Sequence, residues 1–140
     1  MEAIIYNQKG KILRNISAPE EYLDDQVHSG EYILKGFYSD DSMQYIDIES
    51  KELINFPPKP NDYSVFDWDT KQWVDDVDIL KSNIDSKRIM LLQASDWTDT
   101  VSAQTRLSNY AEWQTYRQAL RDIPSQSGYP FNVIWPEQPQ

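Results

Sequence analysis

Cysteine is absent from the 140 residues, which excludes disulfides and thiolate metal sites and leaves the redox compartment unconstrained. Histidine occurs once, as His28 in the polar stretch "DDQVHSG". With no second histidine or cysteine to complete a metal or nucleophilic site, His28 reads as a surface-loop residue. The four glycines form no phosphate-cradling loop, so no cofactor is expected. Basic residues are scarce: 13 Lys and Arg stand against 23 Asp and Glu, a formal charge of -10, with no compensating basic cluster. Nucleic acid is therefore excluded as a partner, because phosphate contacts need concentrated positive charge.

Long apolar runs are also missing. None approaches a membrane span, and the opening "MEAIIYNQKGKIL" has too short an apolar run and the wrong charge order for a signal peptide. The expectation is a protein folded in cytosol with no membrane partner. The acidic pairs Asp24-Asp25, Asp40-Asp41 and Asp75-Asp76 lack the alternating oxygen-ligand pattern of a calcium loop and read as solvated turn residues. No nucleophile, base and orienting group assemble at any recognisable spacing, so an enzyme is the least supported class.

What is present is a modest apolar share, 39%, enough for one domain or two small modules. The first part reads as β. "AIIY" and "KILRNI" are β-branched runs joined by "NQKG", where Asn7 and Gly10 supply turn geometry, so a hairpin is predicted. "GEYILKGFY" and "MQYIDIES", separated by "SDDS", predict a second hairpin. In the latter run Tyr45 and Asp47 share one face and Ile46 and Ile48 the other. "KELINF" adds an edge strand that "PPKP" stops, since proline lacks the ladder donor.

The proline-rich "PPKPND" places a module break at residues 57–62. After it, "YSVFDWDTKQWV" predicts a small hairpin in which Trp68 and Trp73 meet across the strands. From Asp75 the period lengthens. Val77, Leu80, Ile84 and Leu91 follow helical spacing, widened by Ile79, Ile89 and Met90, and predict a helix ending near Ala94. Asn109, three residues before Glu112, has the arrangement of a capping box, so a second helix is predicted over 110–122 with Trp113, Tyr116 and Leu120 on one face and Pro124 beyond its end. The predicted fold is α+β: an N-terminal antiparallel β module over 1–56, a linker at 57–62, and at 63–140 the aromatic hairpin plus a helical hairpin with an extended Pro/aromatic tail.

That tail, "GYPFNVIWPEQPQ", is unusually apolar for a chain end. Docking across the seam of the helical hairpin is the economical way to bury its rings. All five tryptophans fall in the second half, where large rings fill the core of a small module; for Trp135 a partner contact is as reasonable as packing. Arg117 and Arg121, four apart on one helix face, balance local charge, and Arg117 is also placed to bridge the Asp96 loop to the helix.

"LLQASDWT", "AEWQTYRQALRDIP" and "GYPFNVIWP", in that order, closely resemble the C-terminal module of the bacteriophage tail fibre assembly and tail assembly chaperone proteins, over about residues 90–136. The resemblance singles out Asp96, Trp97 and Thr98 in the loop, and Trp113, Tyr116, Arg117, Leu120 and Arg121 in the helix. In the ending it singles out Gly128, Pro130, Trp135 and Pro136. "FDWDTKQWV" is similar to an aromatic hairpin that often precedes this module, whereas residues 1–56 match nothing specific.

The resemblance implies a non-enzymatic partner of a trimeric tail fibre, acting in the host cytoplasm and helping the fibre fold, trimerise or attach. Growing fibres expose strand edges, which a small acidic β module can cover by strand addition. One alternative is a virion subunit that joins the fibre to the baseplate or sits at the fibre tip. Another is a carbohydrate-binding module built on tryptophan platforms.

Overall fold

The computed structural model describes residues 1–140 and is α+β, with small antiparallel sheets followed by helices. The chain divides into two compact units, Met1–Val74 and Asp75–Gln140.

In the first unit β1 (Glu2–Asn7), β2 (Ile12–Ser17) and β3 (Glu31–Lys35) form a sheet of order β2-β1-β3. Ala3, Ile4, Ile5 and Tyr6 are all buried, so β1 needs a strand on each side and a cover on each face. The β1–β2 hairpin forms as predicted. Asn7 Oδ1 accepts from the Lys9 and Lys11 N–H groups at 2.9 and 3.1 Å, and Gly10 turns the chain at φ 81°. A bulge between Ile5 and Tyr6 shifts the register from Ile5 opposite Arg14 to Tyr6 opposite Ile12.

The ladder differs from expectation beyond this hairpin. β3 pairs with β1, Ile4 opposite Leu34 and Tyr6 opposite Tyr32, and not with β4 (Gln44–Ile46), which pairs with β5 (Leu53–Asn55) instead. Two forces decide this. A central strand buried on both faces claims β3, while the Asp47 carboxylate closes the tight β4–β5 turn by accepting from the Glu49 and Ser50 N–H groups at 3.0 and 2.8 Å. One sheet face then packs Ile4, Tyr6 and Ile12 against Ile46, with Leu34 and Leu53 alongside. The other carries Arg14 and Lys35, which tie down the second of two 3-10 turns, Glu20–Tyr22 and Asp24–Gln26, by donating to the Gln26 carbonyl and the Asp24 carboxylate, each at 2.8 Å. Ile46 is fully buried, as the alternation required, whereas Ile48 is exposed.

β6 (Ser64–Asp67) and β7 (Gln72–Asp75) make the aromatic hairpin. Phe66 lies against both tryptophans, 5.0 Å from Trp68 and 5.3 Å from Trp73 between centroids, so the cross-strand contact runs through phenylalanine. Tyr45 of β4 and Phe56 complete the cluster at 5.6 and 4.7 Å from Phe66. Trp73 Nε1 also donates to the Pro57 carbonyl at 2.7 Å. The prolines at 57–60 are therefore held inside the first unit, and the boundary falls after Val74 rather than at 57–62.

In the second unit α1 (Val77–Ala94) starts at Asp76, whose carboxylate caps the Asp78 and Ile79 N–H groups. α3 (Tyr110–Asp122) occupies the predicted span. Between them lie a 3-10 turn (Asp96–Asp99) and the short α2 (Val101–Arg106), started by the Thr100 hydroxyl and not foreseen from sequence. Ile84, Trp113, Tyr116, Leu120 and Ile123 form the core. Leu80, Leu91 and Leu92 join it from α1, whereas Ile89 and Met90 are exposed and do not widen the buried stripe. The capping box is absent. Asn109 offers its carbonyl to the Glu112 and Trp113 N–H groups, while its side-chain amide donates to Gln140.

Candidate interaction site

Thr98 anchors the loop after α1. It is fully buried and its hydroxyl donates to the Ser95 carbonyl at 2.7 Å. Ser95 ends α1 by donating to the Leu91 and Leu92 carbonyls at 2.9 and 3.1 Å, satisfying acceptors that a helix end leaves open. The loop that results aims Asp96 and Asp99 at α3.

Arg117 receives them. Its residue is 5% exposed, and Nη1 donates to the Leu92 carbonyl at 2.6 Å and to Ser95 Oγ at 2.7 Å. Nη2 meets Asp96 Oδ1 at 2.8 Å and Asp99 Oδ2 at 2.9 Å. Arg117 thus bridges the loop to the helix, and it fixes the end of α1 as well. Both carboxylates reach solvent, so the charge is compensated without burying a complete ion pair. The Asp99 carboxyl is held below the usual carboxylate range by the hydrogen bond from Gln114, with the charges of Arg117 and Arg121 adding to it against a counteracting burial. Arg121 is farther away, 3.9 Å from Asp99 on the exposed side.

Above this network Trp113 is buried and meets Tyr116 and Trp97 edge to face, at 5.8 and 5.4 Å between centroids. Burial also raises the Tyr116 pKa. Trp97 keeps 51% of its surface exposed and borders a groove with Ala103, Arg106 and Leu107. Asp96, Trp97 and Arg121 are therefore the fingerprint residues that face outward.

The ending docks on its own unit. Tyr129, Val133 and Trp135 pack against the core, and Lys87 of α1 places its ammonium 4.2 Å from the Trp135 ring centre. Gln126 clamps the returning chain by donating to the Ile134 carbonyl and accepting from its N–H, both at 2.8 Å. Gly128 is required by proximity: a Cβ there would lie 2.3 Å from the Asn132 carbonyl oxygen. The Tyr129-Pro130 peptide is cis. Pro136 lines a groove against Glu112, Thr115 and Ala119 of α3.

Thr98, Trp113, Tyr116, Arg117, Gly128 and Trp135 thus belong to one packed assembly. Ser95, Asp99, Gln114 and Gln126 complete it and were not singled out from sequence. The only sequence signal for Ser95 was its place after the last periodic residue of α1, and for Asp99 its place in "DWTD".

These residues define a small helical module whose loop and tail are stitched to one helix by a buried arginine and an aromatic wedge. The model of the family described as phage tail assembly chaperone protein matches residues 81–140. No curated protein and no solved structure matches the chain.

Proposed function

We propose that the protein is a non-enzymatic chaperone of a phage tail fibre, working in the host cytoplasm while the fibre chain folds and trimerises. The observation that carries this reading is the match of residues 81–140 to a tail assembly chaperone family. The first unit supports it. Residues 1–74 hold 7 Lys and Arg against 14 Asp and Glu, a formal -7, on a small antiparallel sheet. Such a unit is suited to shielding the strand edges of an incomplete fibre and keeping the complex soluble.

Self-docking of Tyr129, Val133 and Trp135 removes much of the apolar surface that a permanent joint in the virion would use. Co-expression with the fibre chain of the same phage tests the reading: soluble fibre trimer is expected with this protein and aggregated fibre without it. Mass spectrometry of purified particles separates the alternative. Absence from particles fits a chaperone, and a fixed near-integer ratio to the fibre chain makes it a virion subunit.

A further inference from the structure

The three-stranded sheet has two edges, and they are not equivalent. Gly36 N–H donates to the Glu2 carbonyl at 2.8 Å, and β3 pairs antiparallel with Ile4 opposite Leu34 and Tyr6 opposite Tyr32. By the alternation of an antiparallel ladder, residues 32, 34 and 36 turn their backbone groups toward β1, and Glu31, Ile33 and Lys35 turn theirs outward. Glu31 N–H is used by the His28 carbonyl at 3.0 Å. The N–H groups of Ile33 and Lys35, with the carbonyls of 31, 33 and 35, line an edge that no strand of the sheet covers.

The β2 edge is guarded. It carries the bulge at Leu13, and the Asn15 amide exchanges two hydrogen bonds with the Ser39 backbone, at 2.9 and 3.2 Å. Bulges and side-chain covers are how proteins blunt exposed edges. β3 has neither. It is a regular five-residue strand, and Tyr32, 48% exposed, stacks on Tyr6 at 5.7 Å as a ready cross-strand neighbour.

We propose that the β3 edge accepts an extended, neutral or basic strand of the partner chain as a fourth strand of the sheet. This rests on the chaperone reading and names the surface it uses. Charge selects the occupant: two copies of a unit at formal -7 repel each other, whereas a strand carrying lysine or arginine is drawn to the net negative charge of the unit. Main-chain hydrogen bonds supply the affinity, so one edge can serve many fibre sequences.

Amide hydrogen exchange on the full chain tests the proposal with two probes, the co-expressed fibre chain and a ten-residue peptide of alternating valine and lysine. Slowing of the Ile33 and Lys35 amides by tenfold or more is expected with both. The comparison variants are Ile33→Pro and Lys35→Pro, each removing an outward N–H while leaving the bonds to β1; both should weaken binding at least tenfold, with far-ultraviolet circular dichroism reporting that the sheet is intact. If one variant fails to fold, the other and the exchange data still decide. Fibre that binds without protecting these amides, or that binds foldable proline variants within twofold of the parent, overturns the edge assignment and leaves the chaperone reading standing. Fibre that does not bind, with the peptide still protecting Ile33 and Lys35, does the reverse. Protection by neither probe overturns the edge assignment as well.

Discussion

Arg117 Nη1 lies 2.7 Å from Ser95 Oγ inside the helical unit, so a residue of α3 holds the last turn of α1. Removing the guanidinium takes the charged donor from the Ser95 hydroxyl and the Leu92 carbonyl and leaves them only their bonds within the end of α1, whereas Asp96 and Asp99 rehydrate. Arg117→Met is expected to cost about 2 to 4 kcal/mol, the range for losing charge-assisted bonds to buried groups. Arg117→Lys should recover little of this, since an ammonium cannot span both sides of the fork. Asp96→Asn, at a side chain 64% exposed, should cost less than about 1 kcal/mol. Urea unfolding followed at 222 nm checks the order; equal losses for Arg117→Met and Asp96→Asn would contradict the bridging role.

The span of α3 was legible because Trp113, Tyr116 and Leu120 keep helical spacing and Pro124 follows. The tail's docking was legible because its rings need cover. The pairing of β3 was not, since "GEYILK" and "MQYIDI" look like consecutive hairpin strands and only the double-sided burial of β1 decides otherwise. Prolines 57 to 60 looked like a linker, because proline composition cannot reveal that the Pro57 carbonyl accepts a bond from Trp73. α2 escaped notice because six residues carry too little periodicity. Gln126 acts on the backbone of Ile134, eight residues on, and Ser95 meets Arg117 from 22 residues away, and no local pattern encodes such partners.

Gly10 and Gly36 share a left-handed backbone, φ 81° and 82°, in different surroundings. A Cβ on Gly10 would lie 1.9 Å from the Ile46 carbonyl oxygen, where β4 crosses the turn, and a Cβ on Gly36 meets nothing within 4 Å. Gly36→Ala should therefore show only the backbone cost, about 1 to 2 kcal/mol. Gly10→Ala adds overpacking of about 1 to 3 kcal/mol and should loosen β4 from the sheet. Thermal unfolding of both variants tests this. Equal melting temperatures would mean that the close approach has no energetic weight.

Glu31 has a pKa lowered to about 2, first by the hydrogen bond from Arg14, then by the His28 N–H, with burial opposing and the Arg14 charge assisting. A carboxylate with a depressed folded-state pKa stabilises the fold above its unfolded value, 4.5, and that contribution is lost as pH falls toward 2. The first unit should thus lose stability progressively between about pH 4.5 and 2. Glu31→Gln should flatten this slope by about one proton in the linkage. Denaturant titrations at several pH values measure it, and an unchanged slope in the variant would reject Glu31 as the main acid sensor of the sheet.

Gln126 and Ile134 are joined by two hydrogen bonds of 2.8 Å, a side chain standing in for a second strand. Both bonds are solvent-accessible, so Gln126→Ala should lower global stability by no more than about 1 kcal/mol. Its larger effect is local. With the clamp gone, the segment carrying Val133 and Trp135 opens more often from the core, and opening energies of this kind are read separately from global unfolding. The Ile134 amide should exchange about tenfold faster, equivalent to about 1.4 kcal/mol. Trp135 emission should shift to the red as the ring leaves Lys87, while the protected amides of α3 stay unchanged. If α3 amides speed up together with Ile134, the ending is part of one cooperative unit with the helices, and the side-chain clamp is not what holds it.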